Sequence, residues 1–173
     1  FACQSLDPFY QKLTDLDVPL FIHASSTDGV NGLKDDRLSL HNFSLSLGYA
    51  QEETLAVAQL LLGGVLDRHP ALDICISHGG GTAAFLAEKI DQLAQVDPTA
   101  SEGVKQNGFG HELKKLWFDT HVKGEVAAKA LRHYAHADKL VLGTNLGGFD
   151  TPEALSADAE RLSQNAKRLL RLP

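Results

Sequence analysis

Four short apolar runs, each followed by a helical pattern, predict an α/β fold with a parallel sheet. The runs are almost continuously apolar, as strands covered on both faces are. Loops of very unequal length separate them. Four strands after an initial helix suit the C-terminal part of a TIM (β/α)8 barrel, parallel strands inside and helices outside; a doubly wound open sheet is the alternative. Four strands alone would leave sheet edges unpaired. The chain begins at Phe1 and has no Met among its 173 residues. The expectation is a single domain over residues 1–173, the second half of a barrel whose N-terminal strands lie outside this sequence.

Asp7 and Pro8 open the first helix, as N-cap and first helical residue, with Phe9, Leu13 and Leu16 on one face. Residues 18–22 form an apolar run ending in His23, the first strand. From Ala24 to Tyr49 periodicity is poor, which predicts a long loop with a short helix near 43–47. Leu55, Ala58, Gln59, Leu62 and Leu66 recur at helical spacing in the helix 51–68, which Pro70 closes. Gly63 and Gly64 inside it signal a close packing contact at some cost in propensity. Leu72 to Ser77 is the second strand, and it runs into His78-Gly79-Gly80-Gly81 and a helix over 82–96. A polar connection covers 97–110. The third strand, 116–120, leads through His121 to a helix over 125–134. Residues 139–143 are the fourth strand, ending in Thr144 and Asn145, and a helix from Thr151 to Leu170 closes the chain.

Composition narrows the partners. Net charge is −6, and Lys and Arg are scattered, so no surface is built to track nucleic acid. No apolar run reaches membrane-spanning length and no signal peptide is visible. Cys3 and Cys75 form no disulfide framework, and the default compartment is cytoplasmic.

Polar residues stand just past all four strands: His23, His78, Asp119-Thr120-His121 and Asn145. In parallel α/β folds that edge is where active sites collect. Glycines after His78 let backbone pass close to whatever the imidazole faces. Imidazoles there suit zinc ligation and acid–base chemistry near neutral pH.

An ordered series runs through the chain: Phe21-Ile22-His23, Glu53-Thr54, Gly63-Gly64-Val65-Leu66-Asp67-Arg68-His69-Pro70, Ser77-His78-Gly79-Gly80-Gly81, and Leu142-Gly143-Thr144-Asn145. It closely resembles the amidohydrolase-2 branch of the amidohydrolase superfamily, on the side of aminocarboxymuconate-semialdehyde decarboxylase and related aromatic-acid decarboxylases. The resemblance implies a TIM-barrel enzyme with one divalent metal, usually zinc. It implies His23 as a metal ligand after the fifth barrel strand and His78 as the acid–base group after the sixth. Asn145 takes the place of a family Asp that binds metal and handles protons, so Asn145 is carried as both a metal and a catalytic position. Either the carboxylate is dispensable here, or Asp150 supplies it, or the site is disabled. The family's first-strand His-x-His pair has no counterpart in this sequence.

The implied activity is metal-dependent decarboxylation of a small aromatic or unsaturated carboxylic acid. Hydrolysis of an ester, lactone, amide or C–C bond by the same parts is one alternative; a non-catalytic binding member is another. A homo-oligomer, a dimer, is the implied assembly. His121 follows a strand end and His41 lies in the loop that lines the family's pocket, which makes both candidates for substrate contact. Plainer roles are expected elsewhere: a helix-end charge for His69, solvated positions for His111, His133 and His136, and core for Trp117. Glu52 and Glu53 are read as favouring a helix start through its dipole.

Overall fold

The computed structural model describes residues 1–25, 35–148, 151 and 155–173. Its order is α1 (Asp7–Asp15), β1 (Leu20–Ile22), α2 (Tyr49–Leu62), α3 (Val65–Arg68), β2 (Ile74–Ile76), α4 (Ala83–Ala94), α5 (Glu102–Asn107), α6 (Phe109–Glu112), β3 (Trp117–Asp119), α7 (Glu125–Tyr134), β4 (Leu140–Val141) and α8 (Ala159–Leu169). The four strands pair in parallel and in chain order, β1-β2-β3-β4. A doubly wound sheet reverses its order at a switch point; this one advances in a single direction, as a barrel wall does. The fold is α/β, part of a (β/α)8 barrel.

Register explains the two faces. Ile22, Ile76 and Phe118 align across the sheet, with Leu140 opposite Phe118. This row faces the main core, where Val57, Leu60, Leu113 and Leu131 come from the helices. The alternate row places Phe21, Cys75 and Trp117 on the other face. There Cys75, Trp117, Val141 and Leu169 form a small second cluster, while Phe21 stays 54% exposed. Trp117 is core, as expected, and its indole N–H donates to Asp73 Oδ1 at 2.6 Å. Burial, aided by the charge of Asp119, pushes the Cys75 thiol up to about 12.

Several local expectations shift. Asp7 is the first residue of α1 rather than its cap, and Leu6 stands at the N-cap without a side-chain bond. The Asp7 carboxylate instead pairs with Arg68 at 3.0 Å and lies 3.2 Å from His69 Nε2. The Arg68 guanidinium holds that carboxyl below its ordinary value. Tyr10, not Phe9 or Leu16, is the buried residue of α1; the two others are 48% and 57% exposed. The helix over 51–68 breaks at Gly63-Gly64 into α2 and α3. Gly64 takes φ +67, and a Cβ on Gly63 would lie 2.4 Å from Ala2 Cβ, so the expected close contact is there. The connection 97–110 holds α5, capped by Ser101 Oγ on Val104 N–H at 3.2 Å, and the start of α6. The closing helix begins at Ala159, eight residues later than expected. Thr151 does not cap it; its hydroxyl donates to the carbonyls of Asn145 and Gly148. Among the described residues no helix is long and apolar enough to cross a membrane.

Candidate active site

Parallel strands bring their carboxyl ends to one rim, so residues far apart in sequence meet there. The His23 and His78 rings lie 4.9 Å apart, centroid to centroid, and those of His78 and His121 5.3 Å apart. Three imidazoles following three consecutive strands thus make one cluster. Tyr49, at the start of α2, closes it with its ring 5.6 Å from His23 and 6.0 Å from His78.

The turn after β2 aims His78. Both His78 (φ +48) and Gly79 (φ +63) are left-handed within Ser77–Gly80. A non-glycine residue rarely accepts that conformation unless its surroundings over-determine it, and such residues gather at functional sites. Here the surroundings are specific. Gly79 N–H donates to Asp119 Oδ1 at 3.2 Å, and the same oxygen accepts His121 N–H at 3.1 Å. Asp119 therefore ties the β2 turn to the residues after β3.

His78 Nδ1 lies 2.6 Å from Glu53 Oε1. The Glu53 side chain is fully buried and that of His78 is 28% exposed. The ring thus has one edge on a sealed carboxylate and the other toward the mouth. Glu53 Oε2 is buried without a hydrogen-bond partner among the described residues. The neighbouring Thr54 pins the next element: its Oγ1 accepts Thr82 N–H at 2.8 Å and lies 2.9 Å from Thr82 Oγ1. Consecutive residues of α2 therefore fix the His78 imidazole and the entry to α4.

His23 is oriented differently. Its Nδ1 lies 2.6 Å from the carbonyl of Ala24. A carbonyl only accepts, so Nδ1 carries the proton, and in the neutral ring the lone pair is on Nε2, the tautomer a metal-ligating imidazole needs. Among the described residues no group of three or more His, Cys, Asp or Glu is placed to hold a metal. His23 thus stands at the rim without a complete metal-binding set among the described residues.

Two further candidates are open to solvent. Asn145 is exposed and left-handed (φ +47), its carbonyl accepting Gly148 N–H at 2.7 Å and the Thr151 hydroxyl at 2.7 Å. His41 is exposed, and its ring packs on Phe43 at 5.4 Å. Asp150 lies outside the described residues. Sequence reasoning missed Tyr49 and gave Glu53 only a dipole role. The available signal for Glu53 was its place in the ordered series of motifs.

The family profile described as Amidohydrolase matches residues 2–172. A 2-amino-3-carboxymuconate-6-semialdehyde decarboxylase of Dictyostelium discoideum is 29% identical over 141 residues, 82% of this chain and 38% of that protein. An IDCase of Metarhizium anisopliae, solved in apo form, superposes with TM-score 0.74 at 26% identity, covering 98% of this chain and 53% of the other. A 5-carboxyvanillate decarboxylase of Novosphingobium aromaticivorans, solved with manganese and 4-hydroxy-3-methoxy-5-nitrobenzoic acid, superposes with TM-score 0.75 at 18% identity, covering 99% and 53%. This chain spans about half the length of those two structures and less of the Dictyostelium protein.

Proposed function

Since the chain belongs to the amidohydrolase family, we propose that the complete protein is a metal-dependent carboxy-lyase acting on a small aromatic or unsaturated carboxylic acid. The observation that carries this reading is the sealed Glu53 carboxylate 2.6 Å from His78, beside His23. Proteins named as decarboxylases among its relatives support it.

His78 is the proton donor in this reading. Its Nδ1–H points to Glu53, and the buried carboxylate offsets the positive charge the ring carries while it holds both protons. The Nε2 proton goes to the substrate carbon that bears the carboxylate. That proton is taken by a π electron pair of the substrate's adjacent double bond; the bond to the carboxylate then breaks, its electron pair restores the double bond, and carbon dioxide leaves. Solvent reaches the exposed edge of the ring and restores the proton.

His23 would hold a divalent ion through Nε2, with further ligands from the rest of the protein. The chemistry such an ion supplies is Lewis acidity toward the substrate oxygens. Asn145 can offer its amide oxygen to the ion or the substrate but cannot carry a proton, which leaves proton transfer to His78. His121 borders the substrate, and His41 approaches it from the preceding loop. The remaining barrel strands would cover the free edge of β1 and the exposed Phe21, making residues 1–173 one half of a single domain. Zinc, a homodimer and the cytoplasm complete the proposal. Two unpaired cysteines support the last.

The test is carbon dioxide release by the full-length protein on a panel of hydroxybenzoates and muconate semialdehydes. Turnover of at least one with stoichiometric carbon dioxide is expected. Hydrolysis of ester or lactone analogues without carbon dioxide would replace the lyase with a hydrolase. Tight binding without any turnover would replace both with a binding protein.

A further inference from the structure

On the outer wall, where α4, α6 and α7 meet, a groove of about 360 Å3 opens to solvent. α4 links β2 to β3 and α7 links β3 to β4, so strands joining at the two free edges of the sheet would not reach it. Glu88 and Asp91, three apart and past the first turn of α4, line one side. His111 in α6 and Lys114 just after it, also three apart, line another. Asp91 is held in place, its Oδ1 accepting Phe109 N–H at 3.0 Å. Small residues, Ala87 and Gly110, line the groove as well. A Cβ on Gly110 would stand 2.6 Å from Tyr134 Cε1, so α6 closes onto that ring only because residue 110 is glycine. Carboxylates and cations in one groove ordinarily pair across it. Here, among the described residues, neither Glu88 nor Asp91 forms an ion pair with Lys114 or His111. Nor is any group of three or more His, Cys, Asp or Glu among those residues placed to hold a metal.

Charges of both signs, held apart in one groove, fit a ligand that carries both signs itself. We propose that this groove binds a short amino acid zwitterion, its ammonium on Glu88 and Asp91 and its carboxylate on Lys114 and His111. Each ligand charge then makes charge-assisted hydrogen bonds. An amine or a carboxylate alone satisfies one side and meets like charge on the other, which counts against it. The methylenes between the two charges lie over Ala87 and Gly110. The site is separate from the imidazole rim and stands whether or not the lyase reading does.

Calorimetric titration of the full-length protein with glycine, β-alanine and γ-aminobutyrate tests this, since their charges lie progressively farther apart. Acetate and methylammonium serve as the two half-ligands. One of the three zwitterions is expected to bind roughly tenfold tighter or more than either half. Added salt should weaken that binding, because both sides are open to solvent. Glu88→Gln and Lys114→Gln each remove one charge at an exposed position. The melting temperature should hold in both variants while the advantage over the half-ligands disappears. A half-ligand that binds as tightly as the best zwitterion would overturn the proposal. So would failure of all three zwitterions to bind at millimolar concentration, or an affinity that neither variant changes.

Discussion

His78→Asn is expected to lower kcat for decarboxylation by about 10²–10⁴-fold, the range a positioned acid–base group contributes. Asparagine is the informative replacement because it tolerates the left-handed backbone that residue 78 adopts at φ +48. The turn and the melting temperature should therefore survive, and the loss should fall on kcat rather than on folding. Glu53 sharpens the experiment. It touches the imidazole through Nδ1, 2.6 Å away, so it works through His78 as a positioning residue. Glu53→Gln alone should cost about 10–100-fold in kcat and shift the pH profile. In the His78→Asn background the same change should cost almost nothing, since groups acting as a unit are non-additive. Independent, multiplying losses in the double variant would disconnect Glu53 from the chemistry.

Gly81→Ala should be the most damaging single methyl in the turn. Its Cβ would stand 2.1 Å from the carbonyl oxygen of Ala50 and 2.8 Å from Thr54 Oγ1, at φ +64. Backbone oxygen cannot move aside as a flexible side chain can. Backbone strain and overpacking together are expected to cost about 4 kcal/mol, read by chemical denaturation. Gly124 supplies the control. It has φ +90 but, among the described residues, no atom within 4 Å of its would-be Cβ, so Gly124→Ala should cost only about 1–2 kcal/mol. Equal costs at the two positions would mean that the contact between the turn and α2 carries no energy.

Much of this arrangement is readable in the chain. Continuous apolar runs such as Ile74-Cys75-Ile76 announce buried parallel strands, and polar residues past each run announce the rim. What escaped has a common cause, side chains whose partners lie far away in sequence. The helical stripe Leu55, Ala58, Gln59, Leu62 leaves Glu53 on the solvent side; the buried face is Glu53, Ala56, Val57, Leu60 and Leu61. A carboxylate counted as surface rotated the predicted helix, because only the fold brings His78 to it across 25 residues. Asp7 misled in the same way: a good cap by position, it is claimed by Arg68, 61 residues on. Tyr49 had no local signal, since an aromatic at a helix start reads as packing. Thr151, a good cap by position, sends its hydroxyl to the Asn145 and Gly148 carbonyls instead, while Pro152 and Glu153 lie outside the described residues.

Metal content of the full-length protein probes the imidazole rim most directly. Dialysed and reloaded with zinc or manganese, the protein should retain about one divalent ion per chain. His23→Ala, which removes the lone pair prepared by the Ala24 carbonyl, should lose that ion together with carbon dioxide release. An unchanged metal content in His23→Ala, or no bound ion in the unmodified protein at saturating metal, would contradict the assignment of this rim as a metal-dependent active site.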